Sequence, residues 1–121
     1  MSQADKKITL ATAKSWTANW RNAPSTSAKA FLIPIQDLQG AISEIQNQGG
    51  NPMARAYLGI DPSDNTEKLI IVGTNQETDK AGNTVYRDLL PADENTTDGG
   101  NSIWDFTRPC PPYCDDNSAL S

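Results

Sequence analysis

A two-layer α+β domain is the fold class this sequence predicts: a mainly antiparallel sheet of three to four strands, two helices and an extended C-terminal tail. Three observations lead there. Apolar residues recur at helical spacing in two stretches, alternate or run together at strand spacing in four others, and the intervening segments are rich in Gly, Pro, Asn and Asp. The order helix, strand, helix, strand, strand, strand suits a sheet covered on one side by helices.

The first helix is expected over residues 10–22, where Leu10, Ala13, Trp16, Thr17 and Trp20 fall on one side and Thr9 can cap the start. Pro24 and the following serines stop it. Lys7, Lys14 and Arg21 recur every seven residues and form a basic stripe beside the tryptophans. Residues 30–33 read as a short apolar strand ended by Pro34. A second helix starts from Asp37 as a cap, lines one face with Leu38, Ala41, Ile42 and Ile45, points Glu44 and Asn47 away, and ends at Gly49 and Gly50.

Ala54, Ala56, Leu58 and Ile60 alternate with Arg55, Tyr57, Gly59 and Asp61, the pattern of a strand whose apolar side is buried. A turn at residues 62–65 leads to Leu69-Ile70-Ile71-Val72, apolar on both faces and so expected in the middle of the sheet. Residues 79–83 supply Gly82 and Asn83 where a hairpin loop needs positive φ, and residues 84–88 return as the partner strand. Residues 91–101 are polar and without periodicity, a linker or long loop. The domain is therefore expected to span residues 1–90. Residues 91–121 then form a linker and a tail that docks on the domain or on a neighbour. In that tail Trp104 and Phe106 are two residues apart, so an extended backbone puts both rings on one side.

With 121 residues the chain is large enough to fold without a metal or disulfide staple. No apolar run follows the N-terminal lysines, and no stretch approaches membrane-spanning length, so a cytoplasmic protein without membrane contact is expected. Charge is segregated: residues 1–30 hold five basic side chains against Asp5, net +4, and the remainder holds five against fourteen acids, net −9. The total of −5 disfavours phosphate backbones, so nucleic acid is not expected as a partner. A basic protein, or the basic end of a second copy, fits better.

The blocks Phe31-Leu32-Ile33-Pro34, Ala56-Tyr57-Leu58-Gly59, Tyr86-Arg87-Asp88-Leu89 and above all Asp105-Phe106-Thr107-Arg108-Pro109-Cys110-Pro111-Pro112 resemble those of a family of small Bacteroidota proteins without an assigned activity. The resemblance covers most of the chain. It implies no function and no site residues.

Catalytic chemistry has little to work with. The absence of histidine removes the usual triads and the commonest general base. Asp61, Asp64, Glu67, Glu77 and Asp79 lie in expected turns, where carboxylates more often cap backbone amides than catalyse. Residues 61–72 lack the glycine and the final glutamate of a calcium loop, and neither glycine pair has phosphate-cradle spacing. Asn95-Thr96-Thr97 is a glycosylation triplet by pattern alone.

Cys110 and Cys114 admit three readings: two reduced thiols, a disulfide, or a metal or redox pair. Pro111 and Pro112 forbid an ordinary helix between them, and a polyproline stretch would hold them roughly 12 Å apart. Only a tight turn brings them within bonding reach. Zinc normally takes four nitrogen or sulfur ligands, and with no histidine the chain offers only Cys110 and Cys114 plus carboxylates such as Asp105, Asp115 or Asp116, so a site would need help from a second copy; the spacing is also one residue too long for a thioredoxin-like centre.

The chain is accordingly expected to be a non-catalytic interaction or self-assembly module, without a cofactor or metal. Lys14, Trp16, Trp20 and Arg21 from the first helix, and Trp104, Phe106, Arg108 and Tyr113 from the tail, are its expected contact residues. The alternatives are a thiol-based metal or redox protein using Cys110 and Cys114, and an acidic immunity-type protein that masks a basic toxin.

Overall fold

The computed structural model describes residues 6–48, 50–92 and 100–121. Most of the expected linker, residues 93–99, lies outside them, as do the glycosylation triplet and Gly49. The elements in chain order are α1 (Leu10–Asn22), β1 (Ala30–Leu32), α2 (Ile35–Asn47), β2 (Met53–Asp61), β3 (Thr66–Thr78), β4 (Thr84–Asp88) and β5 (Arg108–Cys110). Two helices with antiparallel sheet make this an α+β protein. Among the described residues no helix is long and apolar enough to cross a membrane.

The chain divides into two compact units, one of Met1–Phe31 with Pro109–Ser121 and the other of Leu32–Arg108. The larger unit is built on the sheet β2-β3-β4, with β3 in the middle. Its register runs one-to-one from Met53 opposite Thr74 to Asp61 opposite Thr66, and from Thr74 opposite Asp88 to Thr78 opposite Thr84. The apolar run lies in β3 as expected, with Ile71 and Val72 buried. At the hairpin Gly82 adopts φ +87°, while Asp79 Oδ1 accepts from the N–H groups of Ala81 and Asn83. Asn83 itself needs no positive φ; the asparagine that takes one is Asn65, φ +57°, in the turn between β2 and β3.

Three expectations are corrected here. Helix α2 starts at Ile35, not beyond Asp37: Pro34 is its N-cap residue, and Leu38 N–H donates to Pro34 O at 3.0 Å. Asp37 sits in the first turn, where its charge complements the helix dipole. The apolar side of β2 is not covered. Ala54, Ala56, Leu58 and Ile60 are exposed, because α2 rests on β3, where a Cβ at Gly73 would meet Ile45 and Gln48. Glu44 does not point to solvent. It accepts from Ser102 N–H (3.1 Å), Ser102 Oγ (2.7 Å) and Trp104 Nε1 (3.1 Å).

Those bonds fasten residues 102–107 along the edge of β3 that β4 leaves open. Ile71 and Trp104 exchange backbone bonds of 3.0 and 2.9 Å, and Leu69 N–H donates to Thr107 Oγ1. Trp104 and Phe106 lie on one side, as period-two spacing predicts, with ring centroids 6.1 Å apart and planes at 70°.

Strands β1 and β5 pair as a two-stranded sheet, and within the smaller unit Lys29 N–H donates to Cys110 O at 2.8 Å. Cys110 and Cys114 form a disulfide with Cα atoms 4.7 Å apart. The extended polyproline geometry is thus replaced by a turn in which Tyr113 N–H reaches Pro109 O at 3.0 Å. The Cys110–Pro111 and Pro111–Pro112 peptide bonds in it are cis.

Candidate interaction site

Helix α1 forms where its sequence says it should. Thr9 is the N-cap and its Oγ1 accepts from Thr12 N–H at 3.1 Å, while Arg21 in the last turn faces the negative end of the helix dipole. A helix of 13 residues is marginal alone in water, so its neighbours must hold it. Two side-chain bonds do so within the smaller unit. Trp20 Nε1 donates to Ala28 O at 2.9 Å, and Arg21 Nη1 donates to Leu120 O at 2.6 Å.

These tethers shape a groove of about 180 Å³ lined by Trp16, Thr17, Trp20, Arg21, Lys29 and Leu120. No residue of α1 is buried, and Trp16 keeps 59% of its surface exposed. The groove therefore has an apolar floor of indole and leucine and two cationic side chains at its rim. An indole face beside fixed positive charge suits an apolar or aromatic side chain flanked by carboxylates.

Of the expected contact residues, Trp16, Trp20 and Arg21 come together in this groove. Lys14 is exposed on the same helix but does not line it. Tyr113, 51% exposed, stands in the disulfide turn, and Arg108 opens β5 on an exposed position. Trp104 and Phe106 are committed elsewhere in the larger unit, on the segment paired along the edge of β3, with the rings against each other and the indole N–H spent on Glu44. Sequence reading missed Thr17 as a lining residue, Lys29 and Leu120. The available signal was Leu120 itself, the single large aliphatic side chain after Ile103.

The larger unit holds a second cluster that sequence reading missed. Arg55 reaches across β3 to Asp88 Oδ1 (2.5 Å) and Tyr86 O (2.9 Å), and the Tyr57 hydroxyl donates to Asp88 Oδ2. The Asp88 bond holds the Arg55 guanidinium above its ordinary pKa and, as the largest of several causes, raises the Tyr57 phenol as well. Asp61 is lowered, chiefly because Ser63 N–H and Oγ donate to its carboxylate. Arg55, Tyr57 and Asp88 satisfy one another, so this is a brace across the sheet. A wider depression of about 390 Å³ lies beside Glu44, Asn47, Gln48, Gly100 and Asn101. Its charged group, Glu44, is already taken by Ser102 and Trp104. Among the described residues no group of three or more Cys, Asp or Glu side chains is placed to hold a metal ion.

Comparison with known protein families, with curated proteins and with solved structures found no match.

Proposed function

We propose that the protein is a non-catalytic interaction module whose α1 groove receives an acidic, apolar-tipped surface, supplied by the larger unit of a second copy or by another protein. The observation that carries this reading is that α1, with two tryptophans and a basic rim, buries none of its residues. Charge supports it. The smaller unit holds five basic and three acidic side chains, net +2, and the larger holds five and twelve, net −7. Opposite signs on the two units favour head-to-tail contact between copies.

A thiol role rests on two sulfurs that are bonded to each other in this structure, and an immunity-type role rests on charge and size; neither has a second observation behind it. The cytoplasmic address expected from the sequence meets a counterweight in the same disulfide, since such bonds persist chiefly in oxidising compartments.

Sedimentation velocity of the full chain tests the self-assembly form. At about 20 mM salt copies associate through the α1 groove, and at about 0.5 M that contact is lost because exposed charges are screened beyond a few ångströms. The double substitution Lys14→Glu with Lys29→Glu abolishes the low-salt species. A chain whose sedimentation does not change between the two salt concentrations, and that binds no added acidic protein with Trp16-dependent affinity, would remove the proposal.

A further inference from the structure

Strand β2 borders the three-stranded sheet, and among the described residues no strand pairs with its outer edge. An edge of nine residues is a template for another strand, and proteins normally blunt one with lysine, proline, a bulge or brevity. Within β2 none of these occurs; its charged side chains are Arg55 and Asp61, and Pro52 and Pro62 flank it. Residues 53–61 include no proline and no lysine, and the register with β3 is one-to-one throughout. Leu58 and Ile60 are instead 67% and 63% exposed.

The backbone direction of that edge follows from β3. Ile71 exchanges both its backbone bonds with Trp104, and Leu89 N–H donates to Gly73 O, so residues 71 and 73 of β3 turn their polar groups away from β2. Ala56 opposite Ile71 and Ala54 opposite Gly73 are therefore non-hydrogen-bonded positions of the β2–β3 pair. By alternation residues 54, 56, 58 and 60 direct N–H and C=O outward.

We propose that a second copy of the chain adds at this edge, β2 antiparallel to β2, about a two-fold axis at Leu58. In that register the outward amide groups of residues 56, 58 and 60 meet those of the partner's 60, 58 and 56, while Ala54 falls opposite Pro62, beyond the end of the strand. Leu58 faces the partner's Leu58, and Ala56 faces the partner's Ile60, which closes the exposed apolar row with small against large. On the other face Tyr57 lies across from the partner's Gly59, and Arg55 lies across from the partner's Asp61. That carboxylate is a second one for a guanidinium side chain that is still 39% exposed beside Asp88. A slip of one residue sets outward groups against inward ones, and a slip of two loses both the charge pairing and the tyrosine–glycine pairing. The contact is isologous, so it joins two three-stranded sheets into one of six and stops at two copies. It is independent of the α1 groove.

The test is sedimentation velocity of the full chain at about 0.5 M salt, where the Debye length is near 4 Å and contact driven by net charge is silent. The expected species is twice the 13.1 kDa monomer. Leu58→Lys sets two ammonium groups against each other at the axis and raises the dimer dissociation constant by about tenfold or more. Ile35→Lys, equally exposed on α2, leaves it unchanged. Leu58→Cys bridges two copies on mild oxidation, because directly opposed Cα atoms lie about 5.5 Å apart, whereas Met53→Cys does not. A wild-type monomer at high salt, an open-ended series of larger species, a dimer indifferent to Leu58→Lys in a folded variant, or equal bridging by Met53→Cys would overturn the proposal.

Discussion

Replacing Trp104 by alanine should unfold the larger unit far more readily than the same change at Trp16, although both are tryptophans beside polar neighbours. A fully buried Trp→Ala change costs about 3–5 kcal/mol. Trp104 is half-buried, so its share must be built from its contacts. The edge-to-face pair with Phe106 contributes about 1 kcal/mol. Loss of the indole donor leaves Glu44 with only the two Ser102 donors, worth about another 1 kcal/mol. With the apolar area the ring covers, the expected cost is about 2–3 kcal/mol, a fall of roughly 1–2 M in the urea midpoint. Backbone bonds to Ile71 survive in the variant, so the strand is weakened and not deleted. Trp16→Ala, at 59% exposure, should stay within about 1 kcal/mol. Far-UV circular dichroism in urea gives the comparison without relying on tryptophan emission. Equal midpoints for the two variants would refute the assignment of Trp104 to packing and Trp16 to the surface.

Two further outcomes follow from local geometry. The Tyr57 phenol should titrate above the ordinary value of 10 in ultraviolet absorbance, and Asp88→Asn should bring it back; since ionisation costs the bond to Asp88, that bond's stabilisation is complete below pH 10 and fades as pH climbs through the raised value. A phenol titrating at 10 or below would contradict the brace. Gly73→Ala places a Cβ against Gln48 Oε1 and 3.1 Å from Ile45 Cγ1, so Gln48 must swing away and Ile45 must shift; thermal denaturation should show a loss of about 1–2 kcal/mol, and an unchanged melting temperature would mean α2 does not press on β3.

Local signals in the chain carried well. Helix α1 was legible to its end residues because Thr9 caps it and its apolar spacing is helical, and the shared side of Trp104 and Phe106 followed from period two alone. What failed depends on tertiary placement. Alternation in β2 shows that the strand has two unlike faces, but only the position of α2 over β3 decides what is covered, and Leu58 and Ile60 lost that choice. The Arg55, Tyr57 and Asp88 cluster joins residues 31 and 33 positions apart through a register no local pattern encodes. The nearness of Cys110 to Cys114 was visible only as one possibility among three, because it turns on the backbone between them.

Because no residue of α1 is fully buried, its exposed positions can be rewritten without endangering the fold. Thr9, Thr17, Trp20 and Arg21 are tied to backbone groups that hold the helix in place. The exposed positions of that helix are free to drift under selection for a new binding target, at a thermodynamic cost close to that of ordinary solvent-facing substitutions.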